Sequence, residues 1–232
     1  MKKFLKVLVS MVLLLVLAAG IFLGVMIYSM GDPKPLVSGE GDYKIICVGD
    51  SITYGQGVLG ARGRDSYPAI LSEITGATTV NYGLCNRTLL SSGNFPYKNE
   101  HHYADSLEED ANAVIIMLGS NDSKPEYWNK EAFIEEYTDL VRSYREMPTI
   151  PVVYVMIPPA VFVEQDGTNC DNDTVGGELA DAIRQVASEL SVTVIDLYSL
   201  TADHPEWFSD GLHPNAEGNR AIAEEIARKI LK

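Results

Sequence analysis

Residues 44–53 read KIICVGDSIT, and this stretch decides how the rest of the chain is interpreted. Lys44–Val48 is a short apolar run that ends at Gly49, which is typical of a buried strand. Ser51 comes directly after that strand, so its hydroxyl and its backbone N–H can both face a ligand. A serine in such a turn is equally well explained as a helix cap. The role of Ser51 therefore depends on the residues at the ends of the other strands.

Apolar runs alternate with amphipathic stretches along residues 43–232. The pattern predicts five strands, at Lys44–Val48, Thr78–Asn81, Ala113–Leu118, Ile150–Ile157 and Val192–Asp196. It predicts helices from Asp65 or Ser66 to Ile74 and at His102–Asp110, Lys130–Glu146, Thr174–Leu190 and Ala216–Leu231. Strands that alternate with helices pair in parallel through right-handed crossovers. We therefore expect an α/β fold, a three-layer α/β/α sandwich around a five-stranded parallel sheet.

Polar or small residues come after the second and third predicted strands as well as the first. Gly83 lies in NYGLCNRT at 81–88, and Asn121 lies in GSND at 119–122. A glycine lets a backbone N–H approach a ligand closely, and an amide NH₂ can stabilise an oxyanion. Each also has an ordinary explanation, as a turn glycine and as a helix cap or Asx turn.

The last predicted strand is followed, within a long loop, by DGLHP at 210–214. An imidazole titrates near neutrality, so His213 can accept the proton that makes a serine hydroxyl nucleophilic. Asp210, three residues earlier, can fix the tautomer of that ring. Ligands of open parallel sheets bind at the carboxyl ends of the strands, where all of these candidates fall. Their common placement indicates one catalytic site.

These four blocks resemble those of the SGNH hydrolase superfamily, also called GDSL-like esterases, and span nearly all of residues 43–232. The resemblance implies a flavodoxin-like fold with Ser51 as nucleophile and with Asp210 and His213 completing the catalytic triad. It assigns the oxyanion hole to Asn121, Gly83 and the Ser51 N–H, and it implies no cofactor and no metal. One position departs from the usual N-x-G-x-x-G-x-T block, because Asn86 replaces the second glycine. Asparagine tolerates the left-handed conformation well, so we expect the loop to keep its shape.

The substrate expected from the resemblance is an acyl ester, short-chain or O-acetyl, with carbohydrate as a candidate carrier. LGSNDSKPEYW at 118–128 is similar to the carbohydrate and sialate O-acetylesterase-like branch. A lysophospholipase or other lipolytic esterase is the alternative with the same chemistry. Its acyl chain would need an apolar groove, for which the candidates are Phe95, Pro96, Tyr97, Val161, Phe162 and Val163. The same residues could instead pack loops onto the core.

Two alternatives come from other classes of protein. A glycan-binding module with a retired active site is disfavoured because every polar residue of the four blocks is present. A metal-dependent phosphatase is disfavoured because the four histidines, at 101, 102, 204 and 213, show no two-metal spacing.

The three cysteines form no CxxC or Cys/His cluster, so zinc is not expected either; they are Cys47, Cys85 and Cys170. Cys85 and Cys170 could pair in an oxidising compartment.

The N-terminal part of the chain has a different composition. Residues 7–30 carry no charge over 24 positions, enough to cross about 30 Å of hydrocarbon as a helix, and Lys2, Lys3 and Lys6 precede them. These features predict a single transmembrane helix, N-terminus inside, at 1–30, with the catalytic domain at 43–232 extracytoplasmic. A cleaved signal peptide, which would make the protein secreted, is the alternative. Residues 31–42, with two prolines and three glycines, are predicted to be a linker.

The overall charge excludes one class of partner. The chain has 18 Lys and Arg against 32 Asp and Glu, a formal net charge of −14 at pH 7. Nucleic-acid binding needs clustered cations on one surface, so no nucleic-acid partner is expected.

Overall fold

A computed structural model describes residues 34–162 and 167–231, together with Met11, Leu15 and Gly20. The chain divides into two units, Met1–Lys34 and Pro35–Lys232. No helix within the described residues is both long enough and apolar enough to span a membrane. The predicted membrane segment at 7–30 lies outside the described residues except at three positions. It stays a prediction, which membrane fractionation can test.

The second unit is built on a six-stranded sheet. Its strands are β1 (Leu36–Ser38), β2 (Lys44–Gly49), β3 (Thr78–Gly83), β4 (Ala113–Met117), β5 (Val152–Ile157) and β6 (Thr193–Asp196). Their order across the sheet is β1-β3-β2-β4-β5-β6. All neighbours from β3 to β6 pair in parallel, and β1 pairs antiparallel with β3. The five parallel strands predicted from the sequence are all present, within two residues of their predicted starts and ends.

The sixth strand corrects the prediction of a purely parallel five-stranded sheet. β1 lies inside the segment predicted to be a linker, and Leu36 pairs with Asn81 of β3. Without β1, strand β3 would be an open edge with unpaired N–H and C=O groups, so a short antiparallel strand covers it. Three residues between Pro35 and Gly39 are too few to show strand periodicity.

Nine α-helical segments are present in the described part of the second unit. They are α1 (Ser51–Tyr54), α2 (Arg62–Asp65), α3 (Tyr67–Thr75), α4 (His101–Leu107), α5 (Lys130–Arg145), α6 (Asn172–Thr174), α7 (Ala180–Leu190), α8 (Leu197–Thr201) and α9 (Ala216–Ile230). One predicted helix, Thr174–Leu190, is broken: a π-helical turn at Val175–Leu179 with a non-helical Gly177 precedes α7. Two consecutive glycines explain the break, because glycine weakens a helix interior.

Helices cover both faces of the sheet and give the three layers that were predicted. On one face, α3 and α9 pack against alternate strand residues such as Ile45 and Ile115. On the other face, α5 and α7 pack against the intervening residues, such as Ile46 and Ile116. The central strands β2 and β4 are therefore buried on both sides, which explains why AVIIM in β4 is apolar throughout. The carboxyl ends of β2, β3 and β4 remain open at one edge of the sheet.

Candidate active site

Ser51 is the first residue of α1, directly after β2. The carboxylate of Asp50 caps this short helix, because its Oδ1 accepts the N–H of Ile52 at 2.9 Å. Ser51 is nearly buried, with 7% of its surface exposed. Within the described residues its N–H has no acceptor, as expected for the first turn of a helix. The turn thus leaves both the Oγ and the N–H of Ser51 available to a ligand.

Ser51 and His213 are in hydrogen-bond contact although 162 positions separate them. Ser51 Oγ lies 2.9 Å from His213 Nε2. On the other side of the ring, His213 Nδ1 lies 2.7 Å from Asp210 Oδ2. An ionised carboxylate only accepts, so Nδ1 carries the proton and Nε2 is left to accept the Ser51 hydroxyl proton. The structure therefore brings together the three residues predicted to form the triad.

Asp210 is itself held in place by its own loop. Its Oδ1 accepts the backbone N–H groups of Leu212 at 3.0 Å and His213 at 2.8 Å. Partial burial acts to raise the pKa of Asp210, but the hydrogen bond and the charge of the His213 ring together with these N–H groups lower it to about 2. The carboxylate thus stays charged from mildly acidic pH upwards and keeps the imidazole tautomer fixed.

The loop that carries His213 is attached to the rest of the site by residues that the sequence did not single out. Asn219 Nδ2 donates to Pro214 O at 2.7 Å, while its Oδ1 accepts the N–H of Tyr67 at 2.8 Å. The loop also packs on Gly57, where an added Cβ would lie only 2.1 Å from Pro214 O. Asn219 is buried in α9, where an amide side chain is unusual. An asparagine at a buried helix position is the feature of the sequence that could have indicated its role.

The side chain of Asn121 lies at the carboxyl edge after β4 and is almost buried, with 6% exposed. Its Nδ2 donates one N–H to Arg87 O at 3.1 Å. An amide group has two N–H donors, so the second can point at a ligand while the first fixes the orientation of the amide. This arrangement suits the predicted role of Asn121 as an oxyanion donor.

Gly83 differs from the prediction. Its N–H, expected to face the ester, already donates to Asn81 Oδ1 at 2.9 Å. The reason for a glycine here is close packing, because an added Cβ would lie 2.2 Å from Tyr54 N in α1. Gly83 therefore shapes the site by letting β3 approach α1, and its N–H is not directed at the reacting group.

Asn86 keeps the left-handed conformation that was expected of it, with φ of 64°. No acceptor for its N–H is found within the part of the chain that the structure describes. Asn86 also lines the same small cavity as Asn121. In the loop after β3, the backbone N–H of Asn86 is therefore the one that is available to a ligand beside Asn121. In the sequence, Asn86 stands out only because it departs from the usual block.

A buried carboxyl group joins the loops after β3 and β4. Asp122 is fully buried, and its two oxygens accept the N–H groups of Leu90 at 2.8 Å and Leu89 at 3.0 Å. Burial raises the pKa of Asp122 to about 7 despite these two hydrogen bonds. Asp50, also fully buried, has its pKa raised by burial to about 6. Of the three acidic groups Asp50, Asp122 and Asp210, Asp210 is therefore the one that stays charged in mild acid.

Replacing Asp122 with alanine is expected to lower the free energy of unfolding by roughly 2–6 kcal/mol, because two buried N–H groups lose their acceptor at about 1–3 kcal/mol each. Urea unfolding followed by fluorescence measures this change. Asp139→Ala, at an exposed position of α5, is the matched control and should change stability by about 0.5 kcal/mol or less. An Asp122→Ala variant as stable as that control would contradict the role given to Asp122.

The same comparison has a pH dependence with a definite sign. The folded pKa of Asp122 is raised, so its contribution to stability is complete below an unfolded value of about 4 and is lost as pH rises through about 7. The stability of the wild-type protein should therefore fall over this interval more steeply than that of Asp122→Ala.

A small cavity of about 110 Å³ adjoins Asn121. Its lining residues are Asn86, Thr88, Asn94, Phe95, Asn121, Lys124 and Tyr127. The residues proposed for a lipid-binding groove do not line it as a group: Tyr97 and Val161 are buried, Phe162 packs on Phe208, and Val163 lies outside the described residues.

Within the described chain, no group of three or more His, Cys, Asp or Glu is arranged to hold a metal ion. The three cysteines are buried thiols.

A serine, histidine and aspartate joined in this order at the carboxyl edge of an α/β sandwich have the arrangement found in serine hydrolases. Residues 47–221 match the model of the GDSL-like Lipase/Acylhydrolase family. The chain belongs to this family, whose characterised members are carboxylic ester hydrolases.

Relatives with assigned activities are esterases. The chain is 31% identical over 229 residues to an acetylxylan esterase of Xylanibacter ruminicola, covering 90% of this chain and 46% of that protein. It is 30% identical over 139 residues to a rhamnogalacturonan acetylesterase of Bacillus subtilis, covering 51% of this chain and 57% of that protein. The chain thus spans about half the length of these curated relatives.

Solved structures show the same fold. The native aryl esterase of M. smegmatis superposes with a TM-score of 0.66 at 21% identity, over 82% of this chain and 98% of that one. A carbohydrate acetylesterase family member from Sinorhizobium meliloti superposes with a TM-score of 0.64 at 24% identity, over 81% and 97%.

Proposed function

We propose that this protein is a serine esterase that hydrolyses short acyl esters, chiefly O-acetyl groups on carbohydrate, through an acyl-serine intermediate. The observation that carries the proposal is the 2.9 Å contact between Ser51 Oγ and His213 Nε2, with Asp210 on the other ring nitrogen. A serine hydroxyl is a poor nucleophile until a base accepts its proton, and this contact supplies the base.

The first half of the reaction forms the acyl-enzyme. His213 Nε2 takes the Ser51 proton as Oγ attacks the carbonyl carbon of the ester. Asp210 stabilises the imidazolium that results. When the tetrahedral intermediate collapses, its bond to the alcohol oxygen breaks and the alcohol leaves with the proton from His213. The acetyl group then remains on Ser51.

The second half returns the enzyme to its starting state. His213 removes a proton from a water molecule, whose oxygen attacks the acyl carbonyl carbon. The bond to Ser51 Oγ then breaks, and Oγ recovers its proton from His213. Acetate leaves as the second product. Each half uses the same base and the same oxyanion donors.

The oxyanion of both tetrahedral intermediates needs donors that are already in place. We assign this role to the N–H of Ser51, the side-chain amide of Asn121 and the N–H of Asn86. This assignment replaces Gly83, whose N–H is bonded to Asn81. Donors fixed in position before the reaction stabilise developing charge without reorganisation, which is the largest single term in many such enzymes.

The lining of the cavity beside Asn121 favours a short acyl group and a polar alcohol. Its volume of about 110 Å³ is well below the about 300–1,000 Å³ of most small-molecule pockets, so a long alkyl chain has little room there. Three amides, a threonine hydroxyl and an ammonium group belong to residues that line the cavity, and such groups can form hydrogen bonds with a polar alcohol. The acetylxylan and rhamnogalacturonan acetylesterase relatives are consistent with such a substrate.

A panel of p-nitrophenyl esters tests the chain-length part of this proposal. We expect kcat/KM to be highest for the acetate and to fall at least about tenfold by the octanoate, because the longer chain has little room in the cavity beside Asn121. Hydrolysis of acetylated xylose, measured as the release of acetate, tests whether carbohydrate esters are substrates. A preference for octanoate over acetate would favour the lipolytic alternative, and no hydrolysis of any ester would refute the esterase.

A further inference from the structure

The loop after β3 carries a buried ion pair beside the proposed oxyanion hole. Arg87 is only 4% exposed, and its Nε and Nη2 each lie 3.0 Å from Glu100 Oε1. Glu100 comes directly before α4, and its side chain is also mostly buried. A buried ion pair is weak evidence for stability, because the cost of removing two charges from water often exceeds their attraction. The other contacts of Arg87 indicate what the pair does.

The side chain of Arg87 holds the peptide group that supplies one of the proposed oxyanion donors. Its Nη1 donates to Cys85 O at 2.7 Å. That carbonyl group and the N–H of Asn86 belong to the same peptide bond, in which C=O and N–H are coplanar and point in opposite directions. A donor that fixes the direction of Cys85 O therefore also fixes the direction of the Asn86 N–H.

The backbone of Arg87 holds a second donor. Arg87 O accepts Nδ2 of Asn121 at 3.1 Å and so orients that amide group. Asn86 lies between the two carbonyl groups, in a left-handed turn with φ of 64°. The guanidinium of Arg87 closes this turn on Cys85, and the carbonyl group of Arg87 moves with the turn. The direction of both donors therefore depends on the same side chain.

Glu100 gives the guanidinium a fixed orientation. Its Oε1 is shared by Nε and Nη2, which lie on one edge of the planar group, and this leaves Nη1 for Cys85 O. The charge of Arg87 acts in the same direction as the geometry. A hydrogen bond from a cation is stronger than one from a neutral donor, and it polarises the peptide group that accepts it. The N–H of Asn86 is thereby a better donor to an oxyanion.

We propose that Arg87 is a positioning residue of the oxyanion hole, which aligns the Asn86 N–H through its side chain and the Asn121 amide through its carbonyl group. Glu100 holds the guanidinium in the orientation that this requires. The inference rests on the proposed esterase function and adds a residue that acts on the reaction through the oxyanion donors.

The test removes both charges together, because a single substitution would leave the partner buried without a counter-ion. In the paired variant Arg87→Met, Glu100→Gln, the donors are present but no longer held in line. Its kcat on p-nitrophenyl acetate should fall by about 10–100-fold, with a change in KM of about twofold or less. The matched control is Lys44→Met, Glu109→Gln, which removes a partly buried ion pair at the amino end of β2 and should leave kcat unchanged.

Arg87→Lys distinguishes orientation from charge. Lysine keeps the positive charge beside Glu100, so this variant should fold, but its ammonium group lacks the rigid fork that holds two acceptors at once. Its kcat should be about 3–10-fold below that of the wild-type protein. Thermal unfolding of each variant shows that it is folded at the assay temperature.

A double-mutant cycle with Asn121→Ala shows whether Arg87 acts through the oxyanion donors. Adding the Arg87→Met, Glu100→Gln pair to Asn121→Ala should lower kcat several-fold less than adding it to the wild-type protein. The reason is that one of the two donors that Arg87 aligns is already absent. A residue with a purely structural role would give effects that multiply.

The outcomes separate the inference from the function on which it rests. Near wild-type kcat in the paired variant, full activity in Arg87→Lys, or effects that multiply with those of Asn121→Ala would each overturn the role of Arg87 and leave the esterase standing. If the paired variant does not fold, Arg87→Lys and its cycle with Asn121→Ala decide the question. A wild-type protein that does not hydrolyse p-nitrophenyl acetate would instead refute the esterase.

Discussion

Replacing Ser51 with alanine is expected to lower kcat on p-nitrophenyl acetate by on the order of 10⁴-fold or more. No other hydroxyl is placed to take over, because the catalytic imidazole contacts Ser51 alone among the described hydroxyl groups. Initial rates of the purified wild-type and variant proteins, measured at saturating substrate, give this ratio. The residual rate should match that expected from substrate binding and the oxyanion donors without a nucleophile.

Two controls make the Ser51 result specific. Ser188→Ala changes an exposed serine of α7 and should leave kcat unchanged. The double variant Ser51→Ala, His213→Ala should be no slower than Ser51→Ala alone, because nucleophile and base act as a unit. Further loss in the double variant would show that His213 does something apart from activating Ser51. A Ser51→Ala variant with a tenth or more of wild-type turnover would rule out Ser51 as the nucleophile.

The second large effect is expected at Asn121. Asn121→Ala should lower kcat by about 10²–10³-fold, the usual result of removing one oxyanion donor. KM should change less, because the interaction is strongest when the carbonyl oxygen is charged. The comparison uses steady-state kinetics on p-nitrophenyl acetate, with urea unfolding to confirm that the fold is intact.

Asn121→Asp gives a sharper version of the same test. The two side chains have nearly the same shape, but an ionised aspartate has no N–H to donate and adds a negative charge beside the oxyanion. Its kcat should therefore be at least as low as that of Asn121→Ala. Near-normal turnover in either variant would remove Asn121 from the mechanism.

Much of the site could be predicted because its residues come directly after strands that the sequence marks clearly. Strand β4 is five consecutive buried apolar residues, and Asn121 comes four residues after it. Parallel pairing brings the ends of such strands to one edge, so Ser51 and Asn121 had to lie near each other. His213 was harder, since two short helical segments separate it from β6, and only the Asp-x-x-His spacing indicated its role.

The parts that could not be predicted depend on which backbone group pairs with which. Whether the N–H of Gly83 or of Asn86 is available is decided by the side chain of Asn81, two residues from Gly83. No periodicity encodes that choice. The edge strand β1 was missed for a similar reason, because three residues gain strand geometry only from pairing with β3. One outcome depends on a hydrogen bond within a single loop, between Gly83 and Asn81. The other depends on the pairing of β1 with β3, which is distant in the sequence.

The most direct test of the central claim is the reaction of the protein with a fluorophosphonate, which reacts preferentially with a serine hydroxyl that a neighbouring base has activated. We expect the intact mass to increase by one adduct, and peptide mapping to place that adduct on Ser51. His213→Ala should react far more slowly, since it retains the hydroxyl but lacks the base 2.9 Å away. A wild-type protein that stays unmodified, or that is modified at another serine, would contradict the account.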